Sequence, residues 1–258
     1  MLSGRYKKNQ SGVWARSDYA PFDYSDGDEV EERLLTQLRE TNDISLASDE
    51  LQQLMIDWPS EYHFSPLRAN LLSPFDLGKF QNILEIGSGC GAITRQLGET
   101  CQDSQILALE GSERRAVITR ERCRDLDNVE VCVESFADFV SEERFDLITM
   151  IGVLEYSPSF VKSDRPFVDL LKRSKSLLSD NGVLIVAIEN QLGLKYFNGC
   201  SEDHTGKPFW GINDQYEDSK VKTFGRRQLK SLFQAAGFDQ FDFYYPFPDY
   251  KLPQLLLR

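Results

Sequence analysis

The stretch that most limits how this chain can fold is Ile83-Leu84-Glu85-Ile86-Gly87-Ser88-Gly89-Cys90-Gly91-Ala92-Ile93-Thr94. An apolar run, broken by one carboxylate, meets three alternating glycines and then the start of an amphipathic segment. The run reads as a buried strand and the glycines as a tight turn that leaves room for a ligand against the backbone. The helix that follows offers that ligand its free N–H groups and the positive end of its dipole.

Two ligand classes use such a turn. Gly87, Gly89 and Ala92 fit the dinucleotide fingerprint in its Gly/Ala form, a weak signal alone. Glu85 points elsewhere, because a carboxylate beside the turn disfavours phosphate and suits a ligand with a cationic amino group. Glu-x-Gly-x-Gly-x-Gly resembles motif I of the class I S-adenosylmethionine-dependent methyltransferases. The resemblance implies S-adenosyl-L-methionine as cofactor, cradled by Glu85, Gly87, Ser88, Gly89 and Gly91.

From Asn82 onward, strand and helix patterns alternate, which implies a parallel sheet with helices on both faces. Strands are expected at Ile83–Ile86, Gln105–Leu109, Val129–Val133, Phe145–Ile151 and Gly182–Glu189, with a late pair near Phe238–Pro246. Helices are expected at Ala92–Thr100, Ser112–Leu126, Phe136–Val140, Phe167–Leu178 and Arg226–Ala236. The expected class is α/β, a Rossmann-like class I methyltransferase fold whose mostly parallel seven-stranded sheet carries helices on both faces.

Ligands bind beyond the carboxyl ends of such strands, so residues there become site candidates. Glu110 ends the second strand about 20 residues past the glycine turn, the spacing at which an acid meets ribose hydroxyls, and Gly111 follows it. Ser135 stands where methyltransferases often carry an aspartate for adenine, and Phe136 beside it can pack on a base. After the fourth strand, Gly152, Glu155 and Tyr156 should face the transfer centre, whereas Asp146 sits at the far end and reads as structural.

Residues 1–27 read as an irregular arm with aromatics at Tyr19, Phe22 and Tyr24. Helical segments follow at Asp28–Arg39 and Ser48–Ile56, and Ser65-Pro66 reads as a cap and first turn. Tyr62, His63 and Arg68 precede the first strand, in a place where methyltransferases commonly cover the cofactor. The expected division is therefore 1–80, an arm and helical cap over the cofactor site, and 81–258, the core. Within the core, 189–222 forms an acceptor-site insertion.

That insertion is long and rich in glycine, aromatic and polar residues, as functional insertions are. Asn190, Tyr196, Glu202, Trp210 and Asn213 offer stacking faces and polar contacts to an acceptor. His63 and His204 are the only two histidines. A hydroxyl acceptor benefits from a base near the line of attack, and histidine titrates in the useful range. His204 is the expected base, oriented by Asp203 or Glu202, with His63 or Glu155 in reserve. No metal cluster is expected from spacing, and a magnesium site at Asp203 and His204 has no support in it.

The stretches EYHFSPLRANLL, LEIGSGCGAITRQL, AIENQLGLKYFNGCSEDHTGKPFWGI, TFGRRQL and YYPFPDYKLP together resemble methyltransferase domains of bacterial polysaccharide biosynthesis proteins, often fused to glycosyltransferases. The resemblance covers nearly the whole chain. It implies O-methylation of a sugar hydroxyl, on a glycan or a nucleotide-sugar or lipid-linked precursor in O-antigen or surface-polysaccharide assembly. A fused or associated glycosyltransferase is the implied partner.

Composition bounds these readings. The 258 residues are 41% hydrophobic, enough for one substantial core. No apolar run of about 18 residues exists, and the N-terminus lacks the apolar centre of a signal peptide. Five unpaired-looking cysteines read as reduced cytosolic thiols, which suggests a cytoplasmic protein, with the inner membrane face as a further location. The net charge of −12 disfavours a general nucleic-acid binder. The apolar ending Leu255-Leu256-Leu257 reads as a cut within a longer protein. Alternatives are an inactive methyltransferase-like domain regulating a glycosyltransferase, methylation of another small molecule or a protein, and a dinucleotide oxidoreductase, which Glu85 disfavours.

Overall fold

The computed structural model describes residues 2, 4–19, 27–217 and 219–258. Phe22 and Tyr24 of the expected arm lie outside the described residues. The N-terminal part contains β1 (Tyr6–Lys8), β2 (Trp14–Arg16), α1 (Asp28–Glu40), α2 (Asp49–Gln53), α3 (Trp58–Phe64) and a 3-10 helix at Pro66–Leu71. Then follow β3 (Asn82–Ile86), α4 (Ala92–Thr100), β4 (Gln105–Glu110), α5 (Glu113–Arg122), β5 (Val129–Val133) and β6 (Phe145–Ile151). The chain continues through α6 (Ser157–Phe160), α7 (Pro166–Leu177), β7 (Leu178–Ala187), α8 (Leu194–Phe197), α9 (Arg226–Ala235), β8 (Tyr245–Phe247) and β9 (Leu255–Leu257).

One seven-stranded sheet runs β1-β2-β5-β4-β3-β6-β7. Every pair in it is parallel except β1 with β2. The α/β fold with helices on both faces is as expected, but two of its strands come from elsewhere. The late pair does not enter the sheet: β8 and β9 pair only with each other, antiparallel. Phe238 and Phe241 instead pack on Phe233 of α9, at 5.8 and 6.3 Å between ring centroids. The sheet is completed by the β1–β2 hairpin, which lies in the arm expected to be irregular, and Trp14 and Ala15 align with Cys132 and Val133.

Strand period 2 divides the core between the faces. Ile83, Ile106, Val131 and Leu147 face one way and pack with Ile93 and Leu97 of α4 and Ala116 of α5. Leu84, Leu107, Cys132 and Ile148 face the other way, with Leu170 and Leu171 of α7. Each fully buried Leu or Ile on these faces is worth about 1.5–3 kcal/mol relative to exposure. A smaller cluster joins Leu34, Leu35 and Leu38 of α1 to Leu51, Phe64, Ile118 and Cys90, so the leading helices rest on the glycine turn and α5.

Local differences have local causes. The helix expected over Phe136–Val140 is a turn in which Asp138 and Phe139 both donate to the Ser135 carbonyl at 2.9 Å. Phe136 and Phe139 are buried there, and their spacing mimics a helical face. α5 stops at Arg122, where the Cys123 N–H bonds back to the Thr119 carbonyl. β7 begins at Leu178, four residues before its expected start, because Leu178 pairs with Phe145 ahead of an irregularity in register. Asp146 accepts from the Gln81 and Asn82 amides at 3.1 Å and from Ser179 at 3.0 Å, tying strand starts together. All five cysteines are free, and four of them are buried.

Candidate active site

At the carboxyl ends of β3, β4, β5 and β6 a cleft of about 600 Å³ opens beneath α3. The glycine turn forms its floor. Gly87 and Ser88 both donate to the Leu109 carbonyl at 2.9 Å, which folds the turn over the neighbouring strand. Gly87 has φ +76°, and a Cβ there would lie 2.4 Å from Val153 Cγ2. Gly91, at φ +85°, caps α4, and a Cβ there would meet the Thr119 backbone at 3.0 Å. Side chains at these two positions would occupy neighbouring protein and strain the backbone. Ser88 exchanges a hydrogen bond with Thr119 at 3.1 Å.

Two carboxylates flank the turn. Glu85 is buried and accepts a 2.6 Å hydrogen bond from Thr94 Oγ1. Burial pushes its pKa up to about 8, against the opposing pull of Thr94 and of the Arg68 charge. A cationic ligand group beside it would restore the charged form. Glu110 accepts from the Gly89 amide at 2.7 Å and the Ser112 amide at 3.0 Å. Each oxygen keeps lone pairs for further donors, such as ribose hydroxyls.

The β1–β2 hairpin sits behind one end of the cleft, against Glu134 of its lining. Arg16 pairs with Glu134 at the end of β5, and Tyr6 donates to the same carboxylate at 3.3 Å. Tyr19 donates to the Gly111 carbonyl. Ser135 and Phe136 line the cleft beside Glu134, and Phe136 is also part of the core.

The leading segment covers the cleft from above. In α3, Asp57 caps the helix and accepts from the Ser60 amide at 3.0 Å. The Trp58, Tyr62 and His63 rings follow one another at 5.9 and 4.9 Å. Arg68 lies 4.5 Å over the Tyr62 ring and donates to the Tyr62 hydroxyl at 2.8 Å. It also donates to the carbonyls of Tyr250 and Lys251, at 3.1 and 3.0 Å. This clasp brings Asp249, Tyr250 and Lys251 into the cleft wall, where Tyr250 would sit 2.9 Å from a Cβ on Gly152.

The opposite wall comes from the insertion and the ends of β6 and β7. His204 Nδ1 lies 2.8 Å from Glu202 Oε1, and Glu202 Oε2 accepts from the His204 and Thr205 amides at 2.9 and 2.8 Å. Burial opposes ionisation of Glu202, but the contact with His204 and these amides outweighs it and holds the pKa down to about 2. An ionised carboxylate only accepts, so Nδ1 carries a proton, and in the neutral ring Nε2 is the atom with the free lone pair. Nε2 stands 3.9 Å from Glu189 Oε2, and Tyr156 packs edge-on against the ring at 5.3 Å. Glu155, at 1% exposure, lies within the same group of donor atoms. Burial, reinforced by Glu189, raises its pKa well above the ordinary range. Lys251 pairs with Glu189 and with Asp203, at 3.0 Å for the latter.

Most of the expected site residues share this cleft. Glu85, Gly87, Ser88, Gly89, Glu110, Gly111, Ser135, Phe136, Gly152, Tyr62, His63, Arg68, Asp203 and His204 line it. Gly91 sits behind the floor, and Glu155 lies behind the lining. Asp203 does not touch His204 in the expected orienting role. Burial opposes its ionisation, yet Tyr196, Lys195 and Lys251 hold its pKa far below the usual range. Asn190, Tyr196, Glu202, Trp210 and Asn213 are outside the lining. Tyr196 and Glu202 are buried behind Asp203 and His204, and Asn190 accepts from the Leu192 amide at 3.0 Å. Asn213 is solvent-exposed, and Trp210 lies under Lys207 at 4.2 Å.

Glu134, Glu189, Arg115, Trp58, Asp249, Tyr250 and Lys251 line the cleft and were not singled out as site residues from the sequence. The signal for Glu189 was present, since it follows a parallel strand at its carboxyl end. Nothing local marks Lys251, which reaches the cleft only through the Arg68 clasp.

The cradle fits S-adenosylmethionine: the buried Glu85 carboxyl for an ammonium, a turn with three glycines, and Glu110 for ribose.

Residues 84–184 match a family described as a methyltransferase domain. Nodulation protein S of Sinorhizobium fredii is 29% identical over 96 residues, 37% of this chain and 42% of that protein. The chain therefore spans less than half the length of that curated relative. The pyocyanin biosynthetic protein PhzM superposes with TM-score 0.52 at 11% identity, covering 83% of this chain and 58% of that one. Human N-acetylserotonin methyltransferase, solved with S-adenosylmethionine, gives 0.50 at 16% identity, covering 83% and 52%. The architecture is the Rossmann-like fold of the class I methyltransferases, and residues 84–184, which carry the glycine turn and Glu110, are the part of the chain that resembles a methyltransferase domain.

Proposed function

We propose that the chain is an S-adenosylmethionine-dependent O-methyltransferase acting on a sugar hydroxyl of a bacterial surface polysaccharide or its precursor. The observation that carries this reading is the meeting of two surfaces in one cleft. The glycine turn with Glu85 and Glu110 supplies a cofactor cradle, and the oriented His204 faces it across the cavity. The sulfonium cofactor supplies an electrophilic methyl group. Glu85 would hold its amino group, Glu110 its ribose, and Phe136 with Ser135 its base.

The chain's own contribution is positioning and proton handling, because holding donor and acceptor in line supplies much of such a rate. On this reading Nε2 of His204 accepts the acceptor's proton, and ionised Glu202 stabilises the imidazolium through Nδ1–H. Lys251 and Asp203 offer further polar contacts at the same wall. On this reading the protein works in the cytoplasm, at the inner membrane face, with a fused or associated glycosyltransferase delivering a glycan, nucleotide-sugar or lipid-linked acceptor. Among the described residues no helix is long and apolar enough to cross a membrane.

The test is calorimetric titration with S-adenosylmethionine, with a nicotinamide dinucleotide as control, followed by methyl transfer to a panel of sugar acceptors. Binding of the first ligand alone and methylation of a sugar hydroxyl support the reading. Binding without transfer to any sugar favours another acceptor or a regulatory domain, and dinucleotide binding overturns the cofactor assignment.

A further inference from the structure

Three donor side chains converge at the acceptor wall from separate parts of the chain. Glu155 follows β6, Glu189 follows β7, and His204 comes from the insertion. One oxygen of each carboxylate and a ring nitrogen of His204 all lie within 4.8 Å of one another. Glu155 and Glu189 are 1% and 3% exposed. Among the described residues Glu155 Oε2 and Glu189 Oε2 have no hydrogen-bond partner. Buried carboxylates without partners are costly, so this cluster calls for a positive ligand.

The charge balance points the same way. Glu155, Glu189, Glu202, Asp203 and Asp249 form one network with Lys195 and Lys251. Five carboxylates and two ammonium groups leave three negative charges when all are ionised, an excess that a divalent cation would reduce. Lys251 pairs with Glu189 Oε1 and leaves Oε2 turned toward His204.

We propose that Glu155, Glu189 and His204 bind a first-row divalent cation, such as Zn²⁺ or Mn²⁺, that seats the acceptor hydroxyl. Two carboxylates with one imidazole suit such ions better than magnesium or calcium, which take oxygen ligands. Three protein ligands leave coordination positions for water and acceptor. Bonds of about 2.1 Å put tetrahedral ligand atoms about 3.4 Å apart, so the donors need to close by roughly an ångström, within reach of side-chain rotation. Glu202 on Nδ1 is the outer carboxylate that fixes a metal-bound imidazole, already formed at 2.8 Å. With the cation bound, Nε2 is a ligand, and its proton-accepting role belongs to the cation-free form. The acceptor role rests on the methyltransferase reading; the cation site rests on geometry alone.

The experiment is titration of the chelator-treated protein with Mn²⁺, followed by electron paramagnetic resonance and calorimetry, with Zn²⁺ as competitor. S-adenosylmethionine binding is measured on the same samples. One ion per chain is expected, with affinity reduced at least about tenfold in Glu155→Gln and in Glu189→Gln. Both variants should still bind S-adenosylmethionine, which shows that they fold. Absence of stoichiometric Mn²⁺ or Zn²⁺ binding overturns the proposal, as does binding that survives both substitutions. Cation binding without S-adenosylmethionine binding leaves the site standing and sinks the methyltransferase reading.

Discussion

Thr94 Oγ1 donates to Glu85 Oε2 at 2.6 Å, across the turn that separates β3 from α4. This contact leaves a buried carboxyl group whose pKa is pushed up to about 8 by burial. The folded ligand-free protein therefore binds a proton at Glu85 that the unfolded chain, at an ordinary value of 4.5, gives up. Between those two pH values the folded state binds more protons, so this group's contribution to stability falls as pH rises.

Glu85→Gln should therefore raise the melting temperature of the ligand-free protein at pH 8 and leave it nearly unchanged at pH 4. Raising a carboxyl pKa by one on folding costs about 1.4 kcal/mol at high pH, and each kcal/mol moves the melting temperature by about 2–4 °C in a chain of this size. Thermal melts at the two pH values check this; equal melts at pH 8 would count against a buried, proton-binding Glu85.

The same group governs cofactor binding. If the ionised carboxylate holds the cofactor's ammonium, affinity should rise from pH 6 to pH 8 as Glu85 loses its proton. Binding at pH 6.5 should release protons to the buffer. Calorimetry in buffers of different ionisation enthalpy measures that release, and Glu85→Gln should abolish it while weakening affinity.

Gly87→Ala should weaken S-adenosylmethionine binding and lower stability together, because the new Cβ meets Val153 Cγ2 at 2.4 Å in a backbone conformation that L side chains rarely adopt. The expected stability loss is about 1–3 kcal/mol, read by denaturant unfolding. Glu110→Ala should lower affinity at least about tenfold, since the Gly89 and Ser112 amides lose their acceptor.

His204→Ala and Glu202→Gln should spare cofactor affinity and lower turnover by about 10²–10⁴. Single-turnover methyl transfer, with S-adenosylmethionine binding measured in parallel, separates the two effects. Full transfer in His204→Ala would remove His204 from the reaction.

Arg68→Met should loosen the Asp249–Lys251 wall, because Arg68 supplies the donors to the Tyr250 and Lys251 carbonyls. Faster amide hydrogen exchange over residues 249–253, with the sheet core unchanged, is the expected result.

The sequence by itself determined the central α/β unit. Apolar runs broken by Gly87-Ser88-Gly89 and by Glu110 carry strand length, turn and ligand contact within a few residues of one another. Such local signals survive without knowledge of the rest of the chain. The tertiary structure decided what depended on distant partners. Tyr6–Lys8 and Trp14–Arg16 are too short and too polar to read as strands until they pair with each other and Trp14–Arg16 joins β5. Phe238–Tyr244 has strand-like composition, yet Phe238 and Phe241 pack on Phe233 of α9 and Tyr244 packs on Phe75. Glu202 rather than Asp203 orients His204, because Tyr196, Lys195 and Lys251 engage the aspartate. Glu155, Glu189 and His204 are separated by 34 and 15 residues, and only the parallel order of β6 and β7 brings them within 4.8 Å. Motifs read along the chain report local backbone requirements, whereas a wall built from three loops depends on how the sheet orders its strands.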